Sequence, residues 1–326
     1  MLSTRASLQA KILEVSASNF ESVALEVFHF QYANNPVYHS WVAGLKVLPL
    51  EVKELSQIPA LPISMFKSHQ VQTGVWEAEK VFTSSGTTGQ STSAHYLRSL
   101  DWYHQIARQG FEQFYGSLQE FAFFALLPSY LERSGSSLVM MIDDFMRRSG
   151  NPGGFFLYDH AGMVAEMRSV QQKRVVLIGV TYALLDLCGL RPDLSECIVM
   201  ETGGMKGQRR EMIREEVHEI LSKCLQVPMV HSEYGMTELL SQAYSRGNGV
   251  FECANTLKVL IRESTDPLEI LSPGRHGLIN AIDLGNLDSC AFIATDDVGI
   301  VYPDGSFKVL GRMDGAEVRG CNLMAL

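Results

Sequence analysis

The chain has 326 residues, 46% hydrophobic and 19% charged, an ordinary balance for a globular enzyme and more sequence than one compact core usually holds. Lys and Arg number 27 against 36 Asp and Glu, a formal net charge of −9, which argues against nucleic-acid or anionic-membrane binding through charge. The N-terminal stretch has no signal-peptide core, and apolar runs such as 121–127 are too short to span a bilayer, so a cytoplasmic protein without a membrane span is expected. Cys188, Cys197, Cys224, Cys253, Cys290 and Cys321 show no CxxC spacing and mostly stand among apolar residues, which predicts buried free thiols.

Apolar spacing predicts helices over 2–15 and 19–32, the second opened by a capping box of Ser18 and Glu21. Four prolines between 33 and 70 (Pro36, Pro49, Pro59, Pro62) predict a winding segment with short helices at most. Residues 81–91 read VFTSSGTTGQS, a loop of hydroxyls and glycines between strands around 79–83 and 94–98. Gly86 and Gly89 let the backbone approach a ligand closely, and several N–H and hydroxyl groups could face one set of phosphate oxygens. No lysine follows Gly89, so this is not the common Gly-Lys-Ser/Thr nucleotide loop, and the composition also fits a flexible hydrophilic turn.

From 100 onward helices (100–116, 136–149, 160–171, 181–188, 208–224) alternate with strands (121–127, 155–158, 175–179, 197–201, 228–232). That order predicts an α/β layered lobe with a largely parallel sheet, binding its ligand beyond the carboxyl ends of the strands. After about 245, short β-type runs at 250–253, 257–262, 277–283, 291–294, 299–302 and 307–310 predict a smaller β-rich lobe. The expected divisions are 1–80, 81–245, 246–316 and a tail at 317–326.

Four further features fall at the ends of predicted strands. Thr202-Gly203-Gly204-Met205-Lys206-Gly207 could lie flat against a planar group, or be a helix entry turn. Tyr234-Gly235-Met236-Thr237-Glu238 offers a ring, a hydroxyl and a carboxylate that could serve a purine, a phosphate and a magnesium ion. In Thr295-Asp296-Asp297-Val298-Gly299 the acids could bond the paired hydroxyls of a ribose, or be solvated turn acids. Gly311-Arg312-Met313-Asp314 presents a guanidinium fork suited to ribose or phosphate.

In this order the five features resemble the motifs of the adenylate-forming superfamily, which includes the acyl-CoA synthetases. The resemblance implies that Ser84, Ser85, Gly86, Thr87, Thr88 and Gly89 hold the β/γ phosphates of ATP, with Thr237 at the α-phosphate and Glu238 holding Mg2+. It implies that Gly203, Gly204 and Tyr234 frame the adenine, and that Asp297 and Arg312 grip the ribose. The chain departs from the typical member: little sequence precedes the phosphate loop, Gln90 and Ser91 stand where its lysine would be, and the mobile C-terminal domain is expected to be absent.

These departures are similar to those of the LuxE-type acyl-protein synthetases. By that resemblance Cys321, beside Arg319 and Gly320, accepts the acyl group as a thiolate. The implied reaction is ATP-dependent activation of a carboxylic, fatty acid to acyl-AMP, transfer to the Cys321 thiol, and onward passage to an acyl reductase or carrier protein. Direct transfer to CoA, or a degenerate subunit that only binds nucleotide or acyl group, are the alternatives. Lys206, Arg209 and Arg319 are candidates to replace the missing lysines, and Tyr130 to line the acyl pocket. His231 is close enough in sequence to Tyr234 to face the site; His95 and His160 have no assigned role.

Overall fold

The computed structural model describes residues 3–84, 92–127, 135–203 and 212–313. The apolar spacing of the N-terminal segment gives α1 (Arg5–Leu13) and α2 (Phe20–Asn34), followed by the short α3 (Pro36–Gly44). Asn35 caps α3, its Oδ1 accepting from Tyr38 N at 3.0 Å, and Pro36 takes the first helical position. The Ser18–Glu21 capping box does not form. α2 begins behind Asn19, and Glu21 Oε1 accepts instead from Leu55 N at 3.2 Å, a tertiary partner. The proline-rich stretch runs through β1 (Leu61–Pro62) to the single turn α4 (Met65–Ser68). β2 (Lys80–Thr83) and β3 (Ala94–Leu97) then pair antiparallel, flanking the hydroxyl loop.

The alternating region follows as α5 (Leu100–Tyr115), β4 (Phe121–Leu126), α6 (Ser137–Ser149), β5 (Gly154–Phe155), α7 (His160–Ser169), β6 (Arg174–Val180), α8 (Thr181–Leu187), β7 (Ile198–Thr202), α9 (Arg214–Leu225) and β8 (His231–Tyr234). β5, β4, β6, β7 and β8 lie side by side and parallel. The sheet is extended antiparallel by β9 (Ala243–Ser245), which the sequence reading missed, and β10 (Glu252–Cys253). A strand covered on both faces must be apolar throughout, and every residue of β4, FAFFAL, is buried. Phe111 of α5 meets Phe121, Phe123 and Phe145 with ring centroids 5.5, 5.5 and 5.2 Å away.

A second sheet is built from β11 (Leu257–Arg262), β12 (His276–Asp283), β13 (Phe292–Val301) and β14 (Phe307–Arg312), with β1 added parallel to β13. The strands expected at 291–294 and 299–302 are one strand, β13, bulged at Val298/Gly299. Thr295–Gly299 is therefore not a strand end. The turn preference of Asp and Gly yields here to cross-strand pairing, Asp297 standing opposite Arg312.

The expectation of free cysteines holds for Cys197, Cys253 and Cys290 but fails for Cys188 and Cys224, which form a disulfide. Their separation of 36 residues hides the pair from any local spacing rule, and the packing of α8 against α9 brings them together. Among the described residues no helix is long and apolar enough to cross a membrane.

Candidate active site

The carboxyl ends of β4, β6, β7 and β8 open on a cleft of about 260 Å³, closed on one side by the start of α6 and on another by the second sheet. Ser84, Gly203, Tyr234, Thr237, Glu238, Asp297 and Arg312 all line it. Residues 234 to 238 thus meet residues 297 and 312 across the junction of the two sheets. Ser85, Gly86, Thr87, Thr88, Gly89, Tyr130, Gly204, Lys206, Arg209, Arg319 and Cys321 lie outside the described residues.

Asp297 is the polar centre of the second-sheet wall. Its Oδ1 accepts from Arg312 Nε at 2.9 Å and its Oδ2 from Tyr234 OH at 2.9 Å. The side chains of Arg312 and Asp297 are only 7% and 3% exposed, so each desolvated charge relies on the other. Asp297 N donates to Thr295 Oγ1 at 3.2 Å, which in turn donates to Ile279 O at 2.9 Å, locking the carboxylate's backbone to β12. The Tyr234 ring stands edge-on to Phe307 with centroids 5.4 Å apart. Its hydroxyl is thus committed to Asp297, a contact that the sequence reading, which gave the ring to adenine, did not foresee.

The loop after β8 is held from three sides. His95, on β3, contacts Thr237 O through Nδ1 at 2.8 Å and Ser289 Oγ through Nε2 at 3.0 Å. A neutral ring satisfies both if Nδ1–H donates to the carbonyl and Nε2 accepts from the hydroxyl. Burial lowers the His95 pKa and keeps the ring neutral. Asn286 Nδ2 donates to Glu238 O at 2.8 Å. Asp283 Oδ2 receives Leu240 N at 2.7 Å and Ser241 N at 3.0 Å. Glu238 itself is fully buried. His95, Asp283 and Asn286 were all missed by sequence reasoning, since none belongs to a local motif.

Ser84 closes the base of the hydroxyl loop: its N donates to Ser93 O at 3.1 Å and its Oγ accepts from Ser93 N at 2.9 Å. Gly203 sits at φ +70°, where a side chain would be strained, and its carbonyl accepts from Thr181 Oγ1. Behind it, burial works to raise the Glu201 pKa, but Arg214, with Nε 3.1 Å away, and His218 outweigh it and hold the carboxyl at about 2. Glu233, one residue before Tyr234, also lines the cleft. Burial, with some help from Glu201, pushes it up to about 7 against a hydrogen bond from Thr202 Oγ1 at 2.7 Å.

His231 stands at the far end of β8 and pairs with Tyr115 OH at 3.0 Å, outside the cleft lining. Burial, then Arg246, lowers its pKa to about 4. His160 contacts Leu157 O at 3.3 Å and is likewise not part of the lining. Burial pushes the thiols of Cys197, Cys253 and Cys290 up to about 11, 12 and 12, well away from the nucleophilic form.

Among the described residues there is no cluster of three His, Cys, Asp or Glu that could form an all-protein metal cage. Glu238, a buried carboxylate lining the cleft, could hold a magnesium ion, which is commonly bound through one or two carboxylates while it keeps several waters.

Comparison with known proteins bears on the fold and the family. The fold resembles ATP-bound MatB from Rhodopseudomonas palustris, with a TM-score of 0.55 and 16% identity over 71% of this chain and 47% of that one. The chain thus spans about half the length of MatB. It also resembles a 2-hydroxyisobutyryl-CoA ligase crystallised with 2-HIB-AMP and CoA, with a TM-score of 0.68 and 13% identity over 97% of this chain and 73% of that one. In sequence it is similar to the long-chain-fatty-acid–luciferin-component ligases of Vibrio harveyi, 24% identical over 91% of this chain and 84% of the relative, and Aliivibrio fischeri, 21% identical over 93% and 86%. The family model for LuxE acyl-protein synthetases matches residues 163–325, half of the chain. On that match and this fold, the chain belongs to the LuxE acyl-protein synthetase family and is an acid ligase of the AMP-forming kind.

Proposed function

We propose that this protein joins a carboxylic acid of the fatty class, as the names of its relatives suggest, to AMP and then to the thiol of Cys321. In the first step a carboxylate oxygen bonds to the α-phosphorus of ATP, the bond from that phosphorus to the bridging oxygen breaks, and pyrophosphate leaves. In the second, the Cys321 thiolate attacks the acyl carbon, a C–S bond forms, and AMP leaves with the carboxyl-derived oxygen. An acyl reductase or carrier protein then takes the acyl group.

Both reactants of the first step are anions, so rate depends on positioning and on fixed charge. Ser84 to Gly89 would hold the outer phosphates, Thr237 would meet the α-phosphate, and Gly203 and Gly204 would lie against the adenine. Tyr234 would steady Asp297, which with Arg312 would hold the ribose. Glu238 would hold Mg2+, which, when bound, neutralises phosphate charge. The reading rests above all on the pre-formed Tyr234–Asp297–Arg312 contact opening on the same cleft as Thr237 and Glu238. It also draws on the thiols of Cys197, Cys253 and Cys290, which burial keeps protonated.

The test is exchange of labelled pyrophosphate into ATP across a panel of fatty and aromatic acids. At least one acid should support exchange that depends on magnesium, and no exchange with any acid refutes the proposal. Cys321→Ser is expected to keep exchange and lose covalent labelling by radioactive acid. Labelling that persists in this variant rules out Cys321 as the acceptor.

A further inference from the structure

We propose that Arg214 is a positioning residue for the nucleotide, joining the Gly203 side of the cleft to the Asp297–Arg312 side through the ring of Phe251. This role rests on the binding of ATP in the cleft proposed above, and it falls to residues outside the cleft lining.

Gly203 follows β7 and Arg214 opens α9, so the two residues bound the segment that carries Gly204. One carboxylate, Glu201, holds both ends of that segment. Its Oε1 accepts from Arg214 Nε at 3.1 Å, and its Oε2 lies 3.3 Å from Thr181 Oγ1, the hydroxyl that also bonds Gly203 O. The side chains of Arg214 and Glu201 are only 13% and 7% exposed, so little water competes for the pair. Arg214 Cζ also stands 4.9 Å from the centroid of the Phe251 ring. A Cβ built on Gly249, which has φ +63°, would come within 3.1 Å of Arg214 Cδ, so the bare glycine gives the arginine stem its room. A planar guanidinium can bond a carboxylate through its edge while its face covers a ring. A lysine could replace the charge but not the second contact.

Phe251 is fully buried and immediately precedes β10 of the first sheet. Its N donates to Phe307 O at 2.8 Å and its O accepts from Phe307 N at 2.9 Å, an isolated backbone bridge to the first residue of β14. Its ring stacks on Phe307, with centroids 5.4 Å and planes 27° apart, and meets the Tyr234 ring at 5.9 Å. β14 ends in Arg312, and Tyr234 OH is the second partner of Asp297. Phe251 therefore touches the elements that bring both partners to Asp297, and Arg214 ties it to Glu201 behind Gly203. The apolar part of the lining, which suits a hydrocarbon chain, includes Tyr103, Leu138 and Met141 on α5 and α6. None of the contacts named above involves these three residues, so the acid should be spared.

The experiment measures kcat and the separate KM values for ATP and acid in pyrophosphate exchange by Arg214→Lys, Phe251→Leu and the double variant, below their melting temperatures. Each single variant should raise the KM for ATP by roughly 10-fold, the size of one desolvated cation–ring contact, and leave the KM for the acid within about twofold. The double variant should exceed the worse single one by no more than about twofold, because both substitutions break the same contact. Phe121→Leu is the matched control. Arg174 covers that ring at 4.7 Å, at the start of β4, so this variant should lower the melting temperature and leave both KM values unchanged. An unchanged KM for ATP in Arg214→Lys, equal rises in both KM values, or additive losses in the double variant overturn the inference and leave acid activation standing. Should Phe251→Leu fail to fold, the split between the two KM values in Arg214→Lys decides alone. Unsubstituted protein that exchanges pyrophosphate with no acid instead refutes the activation reading.

Discussion

His95 ties together three segments that are distant in the chain: its own strand next to the hydroxyl loop, the Thr237–Glu238 loop, and the turn at Ser289. Each of its ring nitrogens has one task, and the ring stays neutral because burial disfavours its charged form. Removing the ring leaves the Thr237 carbonyl and the hydrogen of the Ser289 hydroxyl, whose oxygen still accepts from Cys290 N, without a partner in a dry setting, at about 1–3 kcal/mol each. If that loss is felt in the transition state, His95→Ala should slow pyrophosphate exchange by roughly 10- to 100-fold. The expected ranking separates positioning from bulk. Asparagine can place an N–H near the position of Nδ1 and glutamine near that of Nε2, so His95→Asn, which keeps the Thr237 bond, should retain more activity than His95→Gln. Equal losses in all three variants, with unchanged melting temperature, would count against a role through Thr237.

At the scale of elements, β13 and β14 present the cleft with Asp297 and Arg312 as directly opposed partners. That presentation depends on the bulge at Val298/Gly299 and on close strand approach beside it. A Cβ on Gly299 would lie 2.7 Å from Lys308 O and 2.7 Å from Ile279 Cδ1. Gly299→Val should therefore cost roughly 1–3 kcal/mol of stability, measurable by urea denaturation. Because the forced shift sits two residues from Asp297, the same variant should raise the KM for ATP more than that for the acid. The contrast with β4 is instructive. There every residue is buried apolar packing, and substitutions should act on stability alone.

Across the whole molecule, the N-terminal helices are joined to the second sheet by buried polar contacts as well as by packing. Gln31 of α2 is fully buried, and its Nε2 donates to Asn286 O at 2.8 Å and Leu287 O at 3.1 Å while its Oε1 accepts from Ala291 N at 2.9 Å. Trp102 Nε1 ties α5 to the same turn through Gly285 O at 2.8 Å. This turn also carries Asn286 and Ser289, which hold the Thr237–Glu238 loop through Glu238 O and His95. Gln31→Leu should destabilise the fold by roughly 2–4 kcal/mol, since Leu287 O and Ala291 N lose their partner without access to water while Asn286 O keeps only Ser289 N. Chemical denaturation checks the magnitude, and reduced exchange below the melting transition would show that the strut reaches the cleft.

What the sequence determined by itself was local. Alternating apolar runs and helical spacing located the parallel strands and their helices, because burial on both faces of a sheet demands unbroken apolar residues. Short motifs put Ser84, Gly203, Tyr234, Thr237, Glu238, Asp297 and Arg312 at one cleft, because the residue types of a binding loop lie next to one another in the chain. Where a local preference met a distant partner, the distant partner won. Thr295–Gly299 became strand rather than turn, Glu21 left its capping box for Leu55, and Cys188 found Cys224. Only the tertiary structure could show the commitment of Tyr234 to Asp297 and the bridge made by His95. A buried polar group is defined by what surrounds it, and its surroundings come from segments that no window of sequence contains.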